Sequence, residues 1–281
     1  MASQDEQLNT AALNGDLEKV LSLCKNPAVD VNWQLGLGFT ALYGACREGH
    51  VEVVEHLLGH PRINPNLPHR NGATPLMAAC QNDHKEVVSL LLADPRIDPN
   101  KWDNDQATPL WWASRNDHLV IVKLLLASGR EIDTRKRSNF NSLTAAEQGR
   151  AMGRRTKATD EADEVFDRRT KYCTPCADLI DEYERDAEAV RHRLRRQPGL
   201  REYFIGHLFV LVIFHSDSFV VTNKRTAHSD TERFFKITSQ LPLDLQMFLC
   251  NRIFGSPKDI ILSKYSEPGF QLLARTTTWQ Q

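Results

Sequence analysis

The feature that most constrains the fold is a period of 34 residues in the first half of the chain. The residues that recur at this spacing are Thr40, Thr74 and Thr108; Leu8, Leu42, Leu76 and Leu110; Val20, Val54, Val88 and Val122; and Asn32, Asn66 and Asn100. A fixed period of this length is typical of stacked repeats, in which each unit contacts only its neighbours. We therefore expect the chain to begin with a solenoid.

Each period predicts two helices and a projecting loop. Thr74 and Thr108 are each followed by proline, and a threonine cap before a proline in the first helical position favours a helix start. A second apolar run with helical spacing follows, formed in one period by Val87, Val88, Leu91 and Leu92. Between the helix pairs lie turn-forming stretches such as 60–66, which predict a hairpin that projects from the solenoid.

Two segments carry a specific resemblance: Gly72-Ala-Thr-Pro-Leu-Met-Ala-Ala and Gln106-Ala-Thr-Pro-Leu-Trp-Trp-Ala resemble the start of an ankyrin repeat. The resemblance implies an all-α fold, an α-solenoid of helix-turn-helix units with projecting hairpin loops. The expected domain 1–170 is divided as follows: a cap at 1–32, repeats at 33–66, 67–100 and 101–134, and a degenerate repeat at 135–170. The degenerate repeat is assigned from Asn141-Ser-Leu-Thr-Ala-Ala, which keeps the apolar spacing of a first helix at a displacement of 33 residues. The charged stretch 154–171 replaces its second helix.

The period is lost after about Thr170, and the rest of the chain predicts a small helical bundle at 171–281. Helices are expected at 178–196, around 203–214 and at 234–254. Leu241-Pro-Leu-Asp-Leu resembles the start of an F-box, and Leu249-Cys-Asn-Arg resembles part of a SOCS box. These resemblances imply an alternative function, an adaptor that recruits substrates to a ubiquitin ligase. Core packing of a helical bundle explains the same residues.

Positive φ angles are expected at three repeat positions where glycine is replaced. Gln106 stands where Gly38 and Gly72 stand in the preceding periods, so its hairpin is predicted to be strained or differently shaped. Asp83 and Asp117 stand near the end of a first helix, where Gly49 can end the helix in the left-handed conformation. Gln106→Gly is therefore expected to leave stability unchanged or to raise it.

The chain carries no motif that favours catalysis or metal binding. Cys173 and Cys176 have the spacing of half a zinc site, but a second half is missing. His215-Ser-Asp and His228-Ser-Asp contain the residue types of a hydrolytic triad without a nucleophile elbow or phosphate loop. Cys46 and Cys80 recur in one repeat register and are expected to be small core residues. We expect no enzyme activity, no metal and no cofactor.

Charge and hydropathy exclude several partner classes. The formal net charge is −1, but residues 1–134 carry −6 and residues 135–281 carry +5. No polycationic patch accompanies a nucleic-acid motif, and no apolar run reaches the length of a membrane span. We expect a monomer that binds a protein partner of basic or mixed charge, unless the basic half neutralises the acidic half. We expect an intracellular location in the cytoplasm, and Arg135-Lys-Arg is too short to decide whether the nucleus is included.

The resemblance implies a binding surface at the hairpin tips and on the inner face of the first helices. In this sequence the implied partner-binding residues are Leu37, Phe39, Arg47, Glu48, Arg70, Asn71, Gln81, Asn82, Trp102, Asn104, Asp105, Trp111, Arg115 and Asn116. We expect Trp102 and Trp111 to be partly exposed, because aromatic residues are enriched at interface hot spots. Trp112 follows the small Gly44 and Ala78 in its register and is expected to be buried between repeats.

Overall fold

The computed structural model describes residues 2–155, 175–198 and 200. Within these ranges the chain is helical, and extended pairing is limited to the bridge between Leu35 and Phe39. The helices are α1 Gln4–Leu13, α2 Leu17–Cys24, α3 Ala41–Glu48, α4 Val51–Gly59, α5 Pro75–Gln81, α6 Lys85–Ala93, α7 Pro109–Arg115, α8 Leu119–Ala127, α9 Ala145–Arg155, helical residues 175–185 (α10) and α11 Ala187–Arg195. The predicted all-α solenoid is confirmed.

Threonine starts the first helix of each central repeat, as the sequence predicted. The hydroxyls of Thr40, Thr74 and Thr108 accept hydrogen bonds from the backbone N–H three residues later, at 3.1 to 3.3 Å. Pro75 and Pro109 occupy the first helical position, where the missing N–H leaves no intrahelical bond unmade. These caps fix the register of α3, α5 and α7.

The helices stack in two rows. The first helices α1, α3, α5, α7 and α9 pack one on the next, and the second helices α2, α4, α6 and α8 form a parallel row behind them. The recurring leucine and valine registers lie between the rows and are almost completely buried. Cys46 and Cys80 are also fully buried, which confirms their prediction as small core residues. Burial raises the pKa of both thiols, so they stay protonated.

A histidine at the start of each of the helices α4, α6 and α8 links consecutive repeats. Each ring Nε2 lies within hydrogen-bond distance of a backbone oxygen near the end of the preceding first helix. The pairs are His50 with Leu13 at 3.0 Å, His84 with Arg47 at 2.9 Å, and His118 with Gln81 at 3.1 Å. The recurrence of histidine is therefore structural.

An asparagine at the end of each repeat forms a second ladder. The side chain of Asn66 donates to the oxygen of Arg96 at 2.6 Å and accepts from the backbone N–H of Asp98 at 3.0 Å. Asn32 and Asn100 make the same pair of bonds one repeat earlier and one repeat later. Each amide thus satisfies one donor and one acceptor of the following loop.

The first helix of the degenerate repeat begins 36 residues after the first helix of the preceding repeat, rather than the predicted 33. Its first helix, α9, begins after Thr144, whose hydroxyl accepts from the N–H of Glu147 at 3.3 Å. The Glu147 carboxylate in turn accepts from the N–H of Thr144 at 2.9 Å. That hydrogen bond and the nearby Arg137 lower the pKa of Glu147. The loop bond that joins Asp103 to Ala107 in the preceding repeat joins Ser138 to Leu143 here, so the hairpin is longer.

The predicted helix 178–196 is two helices. Asp186 separates α10 from α11 and caps α11 by accepting from the N–H of Ala189 at 2.9 Å. Their apolar side chains are buried, as the spacing predicted: Leu179, Tyr183, Val190 and Leu194.

Residues 175–191 lie at the end of the repeats. The Cys176 thiol donates to the Asp117 carboxylate at 3.5 Å, and Arg150 forms an ion pair with Asp181. The chain divides into two compact units, Met1–Arg191 and His192–Gln281. The domain boundary at 170 stays a prediction. The charged stretch that follows α9 and the expected helices after residue 200 lie outside the described residues.

Candidate functional site

The hairpin tips form one continuous row. The N–H of Arg70 donates to Leu37 at 2.8 Å, and the N–H of Asn104 donates to Asn71 at 2.9 Å. The N–H of Asn139 continues the row by donating to the oxygen of Asp105 at 2.6 Å. Successive tips are therefore held to each other by backbone hydrogen bonds, and their side chains have fixed relative positions.

The predicted tip residues divide into structural and available side chains. The Asn71 amide oxygen accepts from the N–H of Ala73 at 3.0 Å, and the Asn104 amide donates to the oxygen of Arg70 at 3.1 Å. These two amides stabilise the hairpins. The side chains of Leu37, Arg70 and Asp105 are exposed and available to a partner.

The predicted helix residues divide in the same way. The amide of Asn82 donates to the oxygen of Ala78 at 2.8 Å, and that of Asn116 donates to the oxygen of Gln81 at 2.9 Å, so both close helix ends. Glu48 lies 3.5 Å from Arg47 in an exposed ion pair. The arginine and glutamine side chains of the last turn remain as candidate contacts: Arg47, Gln81 and Arg115.

The structure corrects the tryptophan predictions. Trp102 is 53% exposed, as expected, but Trp111 is only 1% exposed and Trp112 is half-buried. Trp111 shares its register with Tyr43 and Met77, which are also buried, so this position packs into the solenoid. The expectations that Trp111 is partly exposed and that Trp112 is buried between repeats are both wrong.

Trp112 is held in place by a buried carboxylate that the sequence analysis did not single out. Its ring N–H donates to Asp103 at 2.9 Å. The other oxygen of Asp103 accepts from the backbone N–H groups of Asp105 and Ala107, at 3.0 and 2.9 Å. Asp103 occupies the register that Leu35 and His69 occupy in the other hairpins. The change of residue type at this register is the feature of the sequence that could have pointed to Asp103.

Arg115 is packed among three aromatic rings. Its guanidinium carbon lies 5.4 Å from the centre of the Trp111 ring, 5.1 Å from Trp112 and 5.4 Å from Phe140. Phe140 is 60% exposed and was also missed, because the displacement of 33 residues hid its place in the fourth hairpin. Cation–π contacts of this kind fix the orientation of the guanidinium plane.

A second, smaller aromatic group lies two repeats earlier. Phe39 contacts Tyr43 and His69 edge-on, with ring centres 5.4 and 4.5 Å apart. The guanidinium carbon of Arg47 lies 5.9 Å from the Phe39 ring centre. Phe39 and Trp112 both pack against the buried cluster around Met77, so the two groups are parts of one apolar surface.

Exposed or half-buried side chains on the tips and first helices form a surface that we call the inner surface. Its members are Leu37, Phe39, Arg47, Arg70, Gln81, Trp112, Arg115 and Phe140. They combine aromatic and aliphatic area with arginine, a composition suited to recognition. Among the described residues, no three His, Cys, Asp or Glu side chains converge in a group that could hold a metal ion.

The charge of the inner surface differs from that of the repeats as a whole. Three arginines belong to it. The acids beside it are Glu48, which pairs with Arg47, Asp105, and the buried Asp103, which accepts from Trp112. Other acids of the repeats lie at the start of the second helices: Glu18, Glu52 and Glu86. The net charge of −6 therefore does not describe this surface.

Comparison with known proteins identifies the repeats. The family model for ankyrin repeats matches residues 8–103 and 61–137, in three copies. Residues 8–137 are ankyrin repeats. Ankyrin repeats are in general protein–protein interaction modules, and no curated protein matches the chain.

Other predicted features stand apart from the ankyrin repeats. No helix in the described part of the chain combines the length and the apolar character needed to span a membrane. Cys176 is a buried cysteine whose thiol donates to Asp117. Further features lie outside the described residues: Cys173, His215, His228 and the segment 241–254 with its F-box and SOCS resemblance.

Proposed function

We propose that the ankyrin repeats bind a protein partner through the inner surface and the hairpin tips, without catalysing a reaction. The observation that carries the proposal is the continuity of the inner surface across four repeats, from Phe39 to Phe140, with Arg47 and Arg115 each held over an aromatic ring. Tryptophan and arginine are enriched among residues that dominate binding energy.

The rigidity of this surface supports the same function. The tips are tied by backbone hydrogen bonds, and Trp112 is fixed by Asp103. A partner therefore orders few side chains when it binds, and the entropic cost of association is reduced.

The test is affinity capture from the native cell with two variants of the full chain. The first variant changes four inner-surface residues to alanine: Arg47, Arg70, Gln81 and Arg115. The matched control changes four exposed residues of the second helices to alanine: Lys19, Ser22, Lys85 and Val120. Equal melting temperatures of both variants and the wild type establish that the fold is retained.

A partner captured by the wild type and the control, but lost from the inner-surface variant, is the expected result. A set of partners that is identical for all three proteins contradicts the proposal, because binding would then depend on another part of the chain.

A further inference from the structure

We infer that the inner surface recognises an extended, acidic segment of the partner protein, whose carboxylate meets Arg115 beside an apolar side chain on Trp112 and Phe140. The inference rests on the proposed function and specifies the chemistry of the partner. It reverses the expectation of a basic or mixed partner, which followed from net charge alone.

The position of Arg115 suits it to bind a carboxylate. Its guanidinium lies against the rings of Trp111, Trp112 and Phe140, and none of the described carboxylates forms an ion pair with it. A guanidinium held among aromatic rings keeps its N–H donors, and two of them can donate parallel hydrogen bonds to a carboxylate.

The apolar contact lies next to the charge. Phe140 is 60% exposed, and Trp112 is half-buried with its N–H already bonded to Asp103. Because the polar atom of Trp112 is satisfied, its remaining exposed area is apolar. An aliphatic or aromatic side chain adjacent to the acidic residue fits this area.

The separation of the arginines favours an extended segment. Arg47 is on α3 and Arg115 is on α7, with α5 packed between them. Two helix-packing distances of about 8 to 10 Å place the two arginine positions roughly 16 to 20 Å apart. An extended chain covers that distance with about five or six residues, at about 3.3 Å per residue. Arg70 lies on the tip between them.

The charge distribution favours an acidic peptide over a nucleic acid. The arginines attract a short acidic segment at close range, whereas residues 1–134 as a whole carry −6. A phosphate backbone that runs from the inner surface towards the first repeats meets this negative charge and is repelled.

The experiment uses the full chain and a display library of random peptides about 12 residues long. Binders are selected on the wild type, and their dissociation constants are then measured on Arg115→Met, Arg115→Glu, Trp112→Ala and Phe140→Ala, and on the charge-matched control Lys85→Met. The same chains are titrated with a single-stranded oligonucleotide. Circular dichroism and melting temperature confirm that each variant folds.

The expected binders are rich in Asp or Glu next to an apolar residue. They bind Arg115→Met about ten-fold more weakly, a loss of about 1.4 kcal/mol, and bind the control unchanged. Added salt weakens wild-type binding more than binding to Arg115→Met. Selection on Arg115→Glu yields binders enriched in Lys or Arg.

Three outcomes overturn the inference and have different consequences. Binders without acidic residues that still require Phe140 or Trp112 contradict the acidic partner and leave the proposed function intact. Binders that are insensitive to every inner-surface change contradict both. Oligonucleotide binding that is tighter than peptide binding and is lost in Arg115→Met replaces the acidic peptide with a nucleic acid.

Discussion

Gln106 has a φ angle of +57°, the left-handed conformation that Gly38 and Gly72 adopt in the two preceding hairpins. A side chain with a Cβ is strained in this region, while glycine is not. We predict that Gln106→Gly leaves the free energy of unfolding unchanged or raises it by up to about 1 kcal/mol, because relief of strain outweighs the added freedom of the unfolded chain. Urea melts of the two proteins measure the difference.

Two controls separate backbone strain from side-chain contacts at this position. Gln106→Ala keeps the Cβ and the strain, so it is expected to show no gain. Gly72→Ala introduces a Cβ that would lie 2.6 Å from the backbone nitrogen of Asn104, so it is expected to destabilise the protein. A clear loss of stability in Gln106→Gly would contradict the assignment of strain.

Asp117 gives a pH-dependent prediction. Partial burial raises the pKa of its carboxyl above the ordinary 3.8, against the smaller opposing effects of the Cys176 thiol and His118. The folded state then holds the proton more strongly than the unfolded chain. This contribution to stability is fully present below pH 3.8 and is lost as the pH rises through the raised pKa.

We therefore predict that Asp117→Asn stabilises the protein more at pH 7 than at pH 4. Chemical unfolding of the variant and the wild type gives the difference in their free energies of unfolding at each pH. The prediction is that this difference is larger at pH 7 than at pH 4. Asp83→Asn is the matched control, because Asp83 has the same positive φ. A gain in Asp117→Asn that is equal at the two pH values would assign the effect to backbone conformation alone.

At this scale the sequence predicted the strained positions but not the tryptophan orientations. Positive φ follows from glycine at the same register, and the structure confirms it at Gln106, Asp83 and Asp117. Trp111 and Trp112 are adjacent and chemically identical, so burial could not be assigned from residue type. The hydrogen bond from Trp112 to Asp103, nine residues earlier, fixes the orientation and requires the folded hairpin.

At the scale of elements, the ladder formed by Asn32, Asn66 and Asn100 joins consecutive repeats. Asn66→Ala removes a donor to Arg96 and an acceptor for the N–H of Asp98. Because both backbone groups lose a partner, we predict a loss of about 1 to 3 kcal/mol in the free energy of unfolding. Thermal and urea melts measure it.

Asn139→Ala is the control for this prediction. Its side chain is exposed, and only its backbone N–H bonds to Asp105. It should change stability by less than about 0.5 kcal/mol. Equal effects of the two substitutions would show that the ladder does not join the repeats.

The central helices could be predicted from the sequence, and the terminal repeat could be predicted only in outline. Threonine, proline and the apolar periods define α3 to α8, because each signal recurs. In the fourth repeat one residue is added before the hairpin and one within it, so a fixed spacing of 34 from Thr108 selects Ser142 rather than Thr144 as the helix cap. The capping pair Thr144 and Glu147 identifies the correct start.

At the scale of the whole molecule, residues 175–191 protect the end of the repeats. Ile180 is fully buried on α10, near the contacts of Cys176 with Asp117 and of Arg150 with Asp181. We predict that Ile180→Ala lowers stability by about 2 to 5 kcal/mol through loss of buried apolar volume. Repeat arrays open from the weakened end, so amide exchange should accelerate in α8 and α9 more than in α1 to α3.

Glu184→Ala is the matched control for Ile180→Ala, since Glu184 lies on the same helix and makes only a 3.9 Å surface ion pair with Arg135. Its exchange pattern should resemble that of the wild type. A uniform increase in exchange along all repeats of Ile180→Ala would contradict local protection of the end.

Overall charge is a poor guide to the charge of the inner surface. The acids that give residues 1–134 their net −6 include those at the N-terminal ends of second helices, where they complement the helix dipole. The arginines lie instead on the last turns and tips of the first-helix side. Composition contains the sum of these charges, and the fold determines where each one lies.

The asparagine and histidine ladders also determine how the length of this protein can change. Every central repeat offers its successor the same amide and receives the same imidazole, so one junction is chemically equivalent to the next. Duplication of residues 67–100 would supply matching partners at both new junctions, whereas an insertion one residue shorter would leave both ladders out of phase. Evolution or engineering can therefore lengthen the molecule in whole repeats, while the two end caps stay as they are.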